Sequence, residues 1–125
     1  MNSYRDLDIY QSSYKLAIQV HIMTLKLPSY EMYEQGSQVR RSTKSIKDNI
    51  AEGYGRRYKN EFIRFLVFAH TSCDEALSQL TMIDEIHYES KGLIELISEY
   101  EVLSRKIYKF IDYVEKHWNE NQHLT

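Results

Sequence analysis

The chain has 125 residues, of which 42% are apolar and 27% charged, as in a single globular domain rather than a disordered segment. One proline and four glycines leave little material for turns, so the composition favours a few long elements over many short strands. The formal net charge is −2, which excludes a uniformly basic protein. The charge is unevenly distributed, because residues 36–66 contain eight bases and three acids and so carry +5, and the rest of the chain carries −7.

The first predicted helix covers about residues 6–26. Its apolar residues recur every three or four positions, so these are expected on its buried face: Leu7, Tyr10, Tyr14, Ala17, His21 and Leu25. Pro28 disfavours the helical conformation of the residue before it, and the helix is therefore predicted to end there. Ser29 is placed to cap a following turn. Whether residues 30–35 form a separate turn or begin the second helix stays open.

The second predicted helix covers about residues 37–53. A stripe at heptad spacing, rich in small residues, is expected to face the core: Gly36, Val39, Thr43, Ile46, Ile50 and Gly53. Gly53 and Gly55 are predicted to supply the left-handed residue that commonly closes a helix.

Two polar stripes accompany that core stripe. One, predicted on the opposite side of the helix, consists of Gln38, Ser42, Ser45, Asn49 and Glu52. The other is cationic and lies between the first two: Arg40, Lys44 and Lys47, with Arg41 beside them.

The third and fourth helices are predicted at about residues 60–88 and 93–118. The core stripe of the third is Phe62, Leu66, Ala69, Cys73, Ala76, Leu80, Ile83 and His87, and that of the fourth is Leu93, Ile97, Tyr100, Ser104, Ile107, Ile111, Val114 and Trp118. Four helices with short links predict an all-α, up-and-down four-helix bundle that forms one domain over residues 1–118. Residues 119–125 have no apolar face and are expected to fray.

The sequence offers little catalytic or metal-binding chemistry. A di-iron bundle needs Glu-x-x-His pairs and further inward carboxylates, and the nearest approaches are Asp84 with His87 and Glu120 with His123. His21 and His87 are expected in the core or at its boundary, whereas His70 has no obvious partner. We therefore expect no metal, no cofactor and no catalytic residue.

Three further observations bear on the class of protein. Cys73 is the single cysteine and is expected to be a buried, inert thiol. No nucleophile motif or phosphate-binding loop appears, so the chain is predicted not to be an enzyme. No apolar run approaches the roughly 20 residues of a membrane span, and no leader is recognised, so a cytoplasmic location is expected.

The basic segment favours nucleic acid as a partner. Seven cations could contact the phosphates of RNA or DNA: Arg40, Arg41, Lys44, Lys47, Arg56, Arg57 and Lys59. Tyr54 and Tyr58 are interleaved with them and could stack on bases. The alternative is an ordinary solvated helix face with local ion pairs such as Lys44 with Asp48.

A second hypothesis assigns the same region to assembly. The polar stripe of the second helix, together with Arg56, would then form a subunit interface: Gln38, Ser42, Ser45, Asn49, Glu52 and Arg56. The chain also has more aromatic residues than the core of one small bundle requires. Some of them could face a second subunit, and the candidates are Tyr10, Tyr14, Phe65, Phe68, Tyr100 and Phe110.

Several motifs in this order resemble one known family. They are Leu27-Pro28, Gln38-Val39-Arg40-Arg41, Ser45-Ile46, Asn49-Ile50-Ala51-Glu52-Gly53-x-Gly55-Arg56, Glu61-Phe62-x-x-Phe65-Leu66, and the later Ser72 and Glu75. They are similar to those of the four-helix-bundle family encoded in intervening sequences of bacterial large-subunit (23S) ribosomal RNA genes. The similarity extends from Leu7 to about Val114.

The resemblance implies an up-and-down bundle that assembles as a ring, a homopentamer. It also implies a fold related to the accessory protein of diversity-generating retroelements, a basic pentamer that associates with reverse transcriptase and nucleic acid. The family has no established molecular role and no assigned catalytic residue. Self-association, RNA or DNA, and a protein partner are therefore the expected interactions.

Overall fold

The computed structural model describes residues 3–87 and 92–119, and all regular structure within these residues is helical. A short 3-10 turn, Tyr4–Asp6, precedes five helices: α1 (Asp8–Thr24), α2 (Ser29–Tyr33), α3 (Gln35–Tyr54), α4 (Lys59–Ile86) and α5 (Leu93–His117). Four of the five are long and correspond to the four predicted helices. The prediction of an all-α, four-helix chain is confirmed, whereas the predicted end of the third helix at residue 88 and the tail at residues 120–125 lie outside the described residues.

The four long helices pack in a closed order. α3 packs against both α1 and α4, α4 also packs against α5, and α5 packs against α1. Because consecutive long helices are in contact and their links are short, the order is that of an up-and-down bundle. In the described part of the chain, no helix combines the length and apolar content that crossing a membrane requires.

The core stripes of α3, α4 and α5 follow the heptad spacing of the sequence. Every predicted core residue of α3 is buried, and so is every one of α4 except His87, which is half-buried. In α5 the stripe alternates between buried residues, such as Tyr100 and Ile107, and half-buried ones, such as Ile97 and Ile111. The core-stripe prediction is confirmed for these three helices.

The predicted buried face of α1 is wrong for half of its residues. Tyr14, His21 and Leu25 are exposed, Tyr10 and Ala17 are half-buried, and Leu7 is buried as predicted. The other buried positions are Ile9, Ser13, Leu16, Val20, Met23, Thr24 and Leu27. α1 carries two apolar stripes with nearly the same spacing, and periodicity alone does not say which of them meets α3 and α5. The stripe left outside forms part of the surface described below.

α1 ends before the proline, as predicted, but the capping differs. α1 ends at Thr24, and Pro28 itself takes the N-cap position of α2, where no side chain caps the helix. Ser29 is the first residue of α2 rather than its cap, so that prediction is wrong. α2 ends at Tyr33 and Glu34 separates it from α3, which shows that most of residues 30–35 belong to a separate turn of helix.

A hydrogen bond between Glu31 and His87 connects α2 to the far end of α4. Nε2 of His87 lies 2.8 Å from Oε2 of Glu31, and the two side chains are only 15% and 8% exposed. The hydrogen bond with His87 lowers the pKa of Glu31 and outweighs burial, which acts in the opposite direction. His87 is therefore a hydrogen-bonded boundary residue, as expected, but no feature of the sequence indicated Glu31 as its partner.

The glycines at the end of α3 do not act as left-handed caps. Gly53 lies within α3, and Gly55 at the C-cap has φ −78° and ψ −5°, a right-handed conformation. Among the described residues only Gly92 has a positive φ, of 87°. A Cβ on Gly53 would lie 2.6 Å from Cβ of Phe65 and 3.1 Å from Cδ1 of Phe62. Gly53 is therefore required for the close approach of α3 and α4, and the cap prediction is wrong.

We expect Gly53→Ala to destabilise the fold. Overpacking against Phe65 costs about 1–3 kcal/mol, which exceeds the gain of up to about 1 kcal/mol that alanine brings over glycine inside a helix. Gly55→Ala is the matched control, because the nearest atom to its Cβ, the Glu52 carbonyl oxygen, lies 3.7 Å away; its effect should stay within about 0.5 kcal/mol. Urea unfolding measures both, and a Gly53→Ala protein as stable as the native chain would contradict the close contact.

The Glu31–His87 pair predicts a pH-dependent contribution to stability. Because the pKa of Glu31 is lower in the folded chain than its ordinary 4.5, the ionised carboxylate stabilises the fold above that pH. The contribution disappears as the pH falls through the lower folded value. At neutral pH, Glu31→Gln should lose about 1–3 kcal/mol of unfolding free energy.

The difference between Glu31→Gln and the native chain should shrink as the pH falls below 4.5. Glu34→Gln, at the exposed neighbouring glutamate, provides the control and should have little effect at any pH. Urea unfolding over a pH series distinguishes the two, and a pH-independent loss in Glu31→Gln would show that the carboxylate charge is not what stabilises the pair.

Candidate functional site

The seven predicted phosphate-binding cations lie in two separate places. Those in the middle of α3 are next to α1, and those after it are at the link between α3 and α4. The first group is Arg40, Arg41, Lys44 and Lys47, and the second is Arg56, Arg57 and Lys59. The helices that pack on either side of α3 separate the two groups.

Arg40 has a structural role. Its Nη1 donates to Oγ1 of Thr24 at 2.8 Å, and its Nη2 donates to the carbonyl oxygen of Met32 at 3.2 Å. One guanidinium thus joins the end of α1, the end of α2 and the middle of α3. The half-buried Arg40 is therefore less available for a phosphate than its exposed neighbour Arg41.

Lys44 and Lys47 share one carboxylate. Their Nζ atoms lie 2.6 Å and 2.7 Å from the two oxygens of Asp48. Partial burial pushes the pKa of Asp48 up, but the hydrogen bonds from both lysines outweigh it, so the pKa lies below its usual value. Lys44 and Asp48 thus form the local ion pair that was stated above as the alternative to nucleic-acid binding. Two lysines still face one acid, and Arg41 has no ion-pair partner among the described residues.

The exposed stripe of α1 and the first cation group face each other across an open groove of about 580 Å³. We call it the α1–α3 groove. Its α1 wall includes Tyr14, Ile18 and Ile22, which are 47%, 49% and 52% exposed. Nζ of Lys47 lies 5.6 Å from the centre of the Tyr14 ring. The groove is lined by Tyr14, Ala17, Ile18, His21, Ile22, Ser37, Arg40, Arg41, Thr43, Lys44 and Lys47.

Arg56 and Arg57 of the second cation group, together with Arg64 of α4, contact aromatic rings of the link and of α4. We call this the corner surface; it consists of Arg56, Arg57, Tyr58, Arg64, Phe65 and Phe68. The guanidinium carbons of Arg56, Arg57 and Arg64 lie 4.7, 6.0 and 5.5 Å from the centres of the Phe65, Tyr58 and Phe68 rings, respectively. Arg56 also binds Glu52 at 2.9 Å. Lys59 is not part of this surface, because its Nζ donates to the carbonyl oxygen of Glu115 in α5.

Tyr58 is exposed, but the prediction that Tyr54 could stack on bases is wrong. Tyr54 is buried, and its ring contacts those of Phe62 and Trp118 edge to face. Tyr100, which was considered for a subunit contact, is fully buried, and its phenol pKa is raised by burial. Phe110 packs against Phe62 in the same aromatic cluster. Arg64 and Phe68 also belong to the corner surface, but they were not among the nucleic-acid-binding residues predicted from the sequence.

The centre of the polar stripe of α3 faces α4 rather than the side away from the core, whereas its two ends are exposed. Ser42 is buried, and Oγ of Ser45 lies 2.9 Å from Oγ of Ser72 in α4. Nδ2 of Asn49 donates to the carbonyl and the hydroxyl oxygen of Ser45. Gln38 and Glu52 are exposed. The centre of the stripe thus serves the α3–α4 contact within the chain.

Three side chains on α4 and α5 form a hydrogen-bonded cluster that the sequence did not suggest. Oγ of Ser104 lies 3.1 Å from Nε2 of His70, and Nδ1 of His70 lies 3.6 Å from Oδ2 of Asp74. His70, predicted to have no obvious partner, therefore has two. Cys73 is buried as expected; burial, with a smaller contribution from Asp74, raises its pKa to about 12, so the thiol is protonated at neutral pH.

No group of three or more metal-ligating side chains occurs among residues 3–87 and 92–119. Of the two sequence pairs considered for a metal, His87 binds Glu31 instead, and Glu120 and His123 lie outside the described residues.

Comparison with protein families identifies the chain. The model of the 23S rRNA-intervening sequence protein family matches residues 5–109. The chain belongs to this family. No curated protein matches it closely enough to count as a relative. The family match includes the lining of the α1–α3 groove and all of the corner surface, so both lie in the part of the chain that the family shares.

In this family member, Arg40 and Arg41 provide a matched pair for a stability test. Arg40→Ala should lower the unfolding free energy by about 2 kcal/mol, because two hydrogen bonds of a charged donor are lost and Met32 and Thr24 keep unpaired acceptors. Arg41→Ala, one residue away and exposed, should stay within about 0.5 kcal/mol. Thermal or urea unfolding measures both; equal losses would show that Arg40 does not join the three helices.

Proposed function

We propose that this protein is a non-enzymatic, homo-oligomeric binding protein whose corner surface binds single-stranded RNA or DNA. The observation that carries the proposal is the contact of three arginines with three aromatic rings at the link between α3 and α4 and in the following part of α4. Tyr58 and Phe68 are 52% and 41% exposed, so part of each ring is accessible to a ligand.

Both kinds of residue suit a single strand. Guanidinium groups bind phosphates through paired hydrogen bonds, and aromatic faces stack on any base, giving an affinity that depends little on sequence. Arg57 and Arg64 have only ring contacts among the described residues, so binding a phosphate would not require them to break an ion pair. This distinguishes them from Arg40, Lys44 and Lys47, whose side chains are engaged within the chain.

A binding role, rather than a catalytic one, is also favoured by the surroundings of Ser104. Ser104, His70 and Asp74 are the residue types of a hydrolytic triad, although the Ser104 hydroxyl also donates to Oδ1 of Asp74 at 3.5 Å. However, Ser104 lies in the middle of α5, where backbone N–H groups are hydrogen-bonded within the helix, so the backbone there offers no oxyanion hole. We interpret the cluster as a link between α4 and α5.

Assembly into a ring, a homopentamer by resemblance, is the second part of the proposal. Several large apolar residues on α4 and α5 are exposed in the single chain, as expected if further copies cover some of them: Val67, Met82, Ile94 and Val102 are examples. The alternative function, a protein-interaction module that uses the polar stripe of α3, is less favoured because Ser45 and Asn49 are hydrogen-bonded within the chain.

Fluorescence anisotropy with labelled single-stranded poly(U) and poly(dT), over a series of salt concentrations, tests the nucleic-acid site. For the Arg57→Glu/Arg64→Glu variant we expect weaker binding and a log–log salt slope smaller in magnitude by about 0.7 for each lost phosphate contact. For Tyr58→Ala we expect a loss equivalent to about 1–3 kcal/mol with an unchanged slope, because stacking involves no counterion release.

Arg105→Glu/Lys109→Glu, at two exposed cations of α5, is the matched charge control and should reduce binding less than the double change at the corner surface. Equal losses in the control and the corner variants would show that binding follows net charge, and undiminished binding in the corner variants would refute the site. Sedimentation equilibrium of the same proteins should give a multiple of the 15.0 kDa chain mass, with five copies expected; a monomer would contradict the assembly.

A further inference from the structure

We infer that the α1–α3 groove is a second binding site, which docks an amphipathic helix of a partner protein with acidic residues beside its apolar face. This inference does not rest on the corner surface. It rests on the combination, in one groove, of an uncovered apolar stripe with a row of cations.

The apolar wall has the spacing of a helix-binding surface. Tyr14, Ile18 and Ile22 follow one another at four-residue intervals along α1, and about half of each side chain is exposed. Eight residues of helix rise about 12 Å, so the three side chains span a little over two turns. A partner helix of three or four turns would cover the stripe with anchors at positions i, i+3 or i+4, and i+7.

The opposite wall determines the charge of the partner. Four cations, Arg40, Arg41, Lys44 and Lys47, line it, and the one carboxylate that pairs with them is Asp48. The wall thus has an excess of positive charge along the full length of the apolar stripe. Glutamate or aspartate on one flank of the docked helix would complement it, since opposite potentials across an interface favour the matching partner.

The chemistry of the groove favours a protein over a nucleic acid. Ile18 and Ile22 have no aromatic face on which a base could stack, and Arg40 already donates to Thr24 and Met32. Aliphatic residues flanked by cations are what an amphipathic acidic helix requires. The corner surface has the opposite composition, with an aromatic ring beside each arginine.

The test uses the full chain and two synthetic peptides of about 15 residues, enough for four helical turns. Both carry leucines at helix spacing; one has glutamates along one flank, and the other has lysines at the same positions. In fluorescence anisotropy, we expect the glutamate peptide to bind at least about tenfold more tightly than the lysine peptide. Arg41→Glu/Lys44→Glu should reverse this preference, because both side chains are exposed and their reversal alters charge without disturbing the core.

Ile22→Asp tests the apolar wall, with Ile94→Asp on α5 as its control, since both isoleucines are exposed. We expect about tenfold weaker binding of the glutamate peptide to Ile22→Asp and unchanged binding to Ile94→Asp. Equal binding of the two peptides, or the absence of a reversal in the charge variant, overturns the inference.

Two other occupants give distinct results, and each overturns the inference. If a second copy fills the groove, the native protein does not bind the peptide and Ile22→Asp lowers the mass in sedimentation equilibrium. If the groove binds nucleic acid, poly(U) displaces the peptide and Ile22→Asp weakens poly(U) binding. Failure of the corner variants to alter poly(U) binding would refute the proposed function while leaving the peptide result unaffected.

Discussion

The close packing of α3 between α1 and α4 is the constraint on which the other features depend. Val39, Ile46 and Ile50 are fully buried, and at Gly53 the backbone of α3 comes so near Phe65 that a single methyl group would not fit. With neighbours on both sides, the cations of α3 are restricted to the margins of those contacts. They therefore lie beside α1, whereas Arg56 and Arg57, which follow the end of α3, lie at the corner where the chain passes into α4. The two positions have different neighbours.

Those neighbours determine what each cation can do. Beside α1, Arg40 joins three helices and the two lysines share Asp48, while the wall opposite them consists of Ile18 and Ile22 with Tyr14 at one end. At the corner, the arginines lie over aromatic rings. Cations that are close together in the sequence thus belong to surfaces of different chemistry, and the ligands we propose for them differ accordingly.

The sequence was sufficient to predict the four helices, the family and the core stripes of α3, α4 and α5, because one apolar stripe dominates each of those helices. α1 was the exception: Ile9, Leu16 and Val20 compete with Tyr14, Ile18 and Ile22, and only the positions of α3 and α5 decide between the two sets.

Contacts between residues far apart in the chain could not be predicted from spacing. Glu31 and His87 are 56 positions apart, and His70 meets Ser104 across 34. For the same reason the centre of the polar stripe of α3 was assigned to the wrong side, since Ser45 forms a hydrogen bond with Ser72 on another helix. The division of the cations into two surfaces likewise requires knowing which helices flank α3.

The rigidity of α3 has a geometric consequence for ligands bound at both surfaces. The helix has 20 residues and is about 30 Å long, with the α1–α3 groove along its first half and the corner surface at its end. A protein helix and a nucleic-acid strand held by one chain would therefore be kept at a fixed separation and direction by α3 itself. The bundle would then act as a spacer of set length between its two partners.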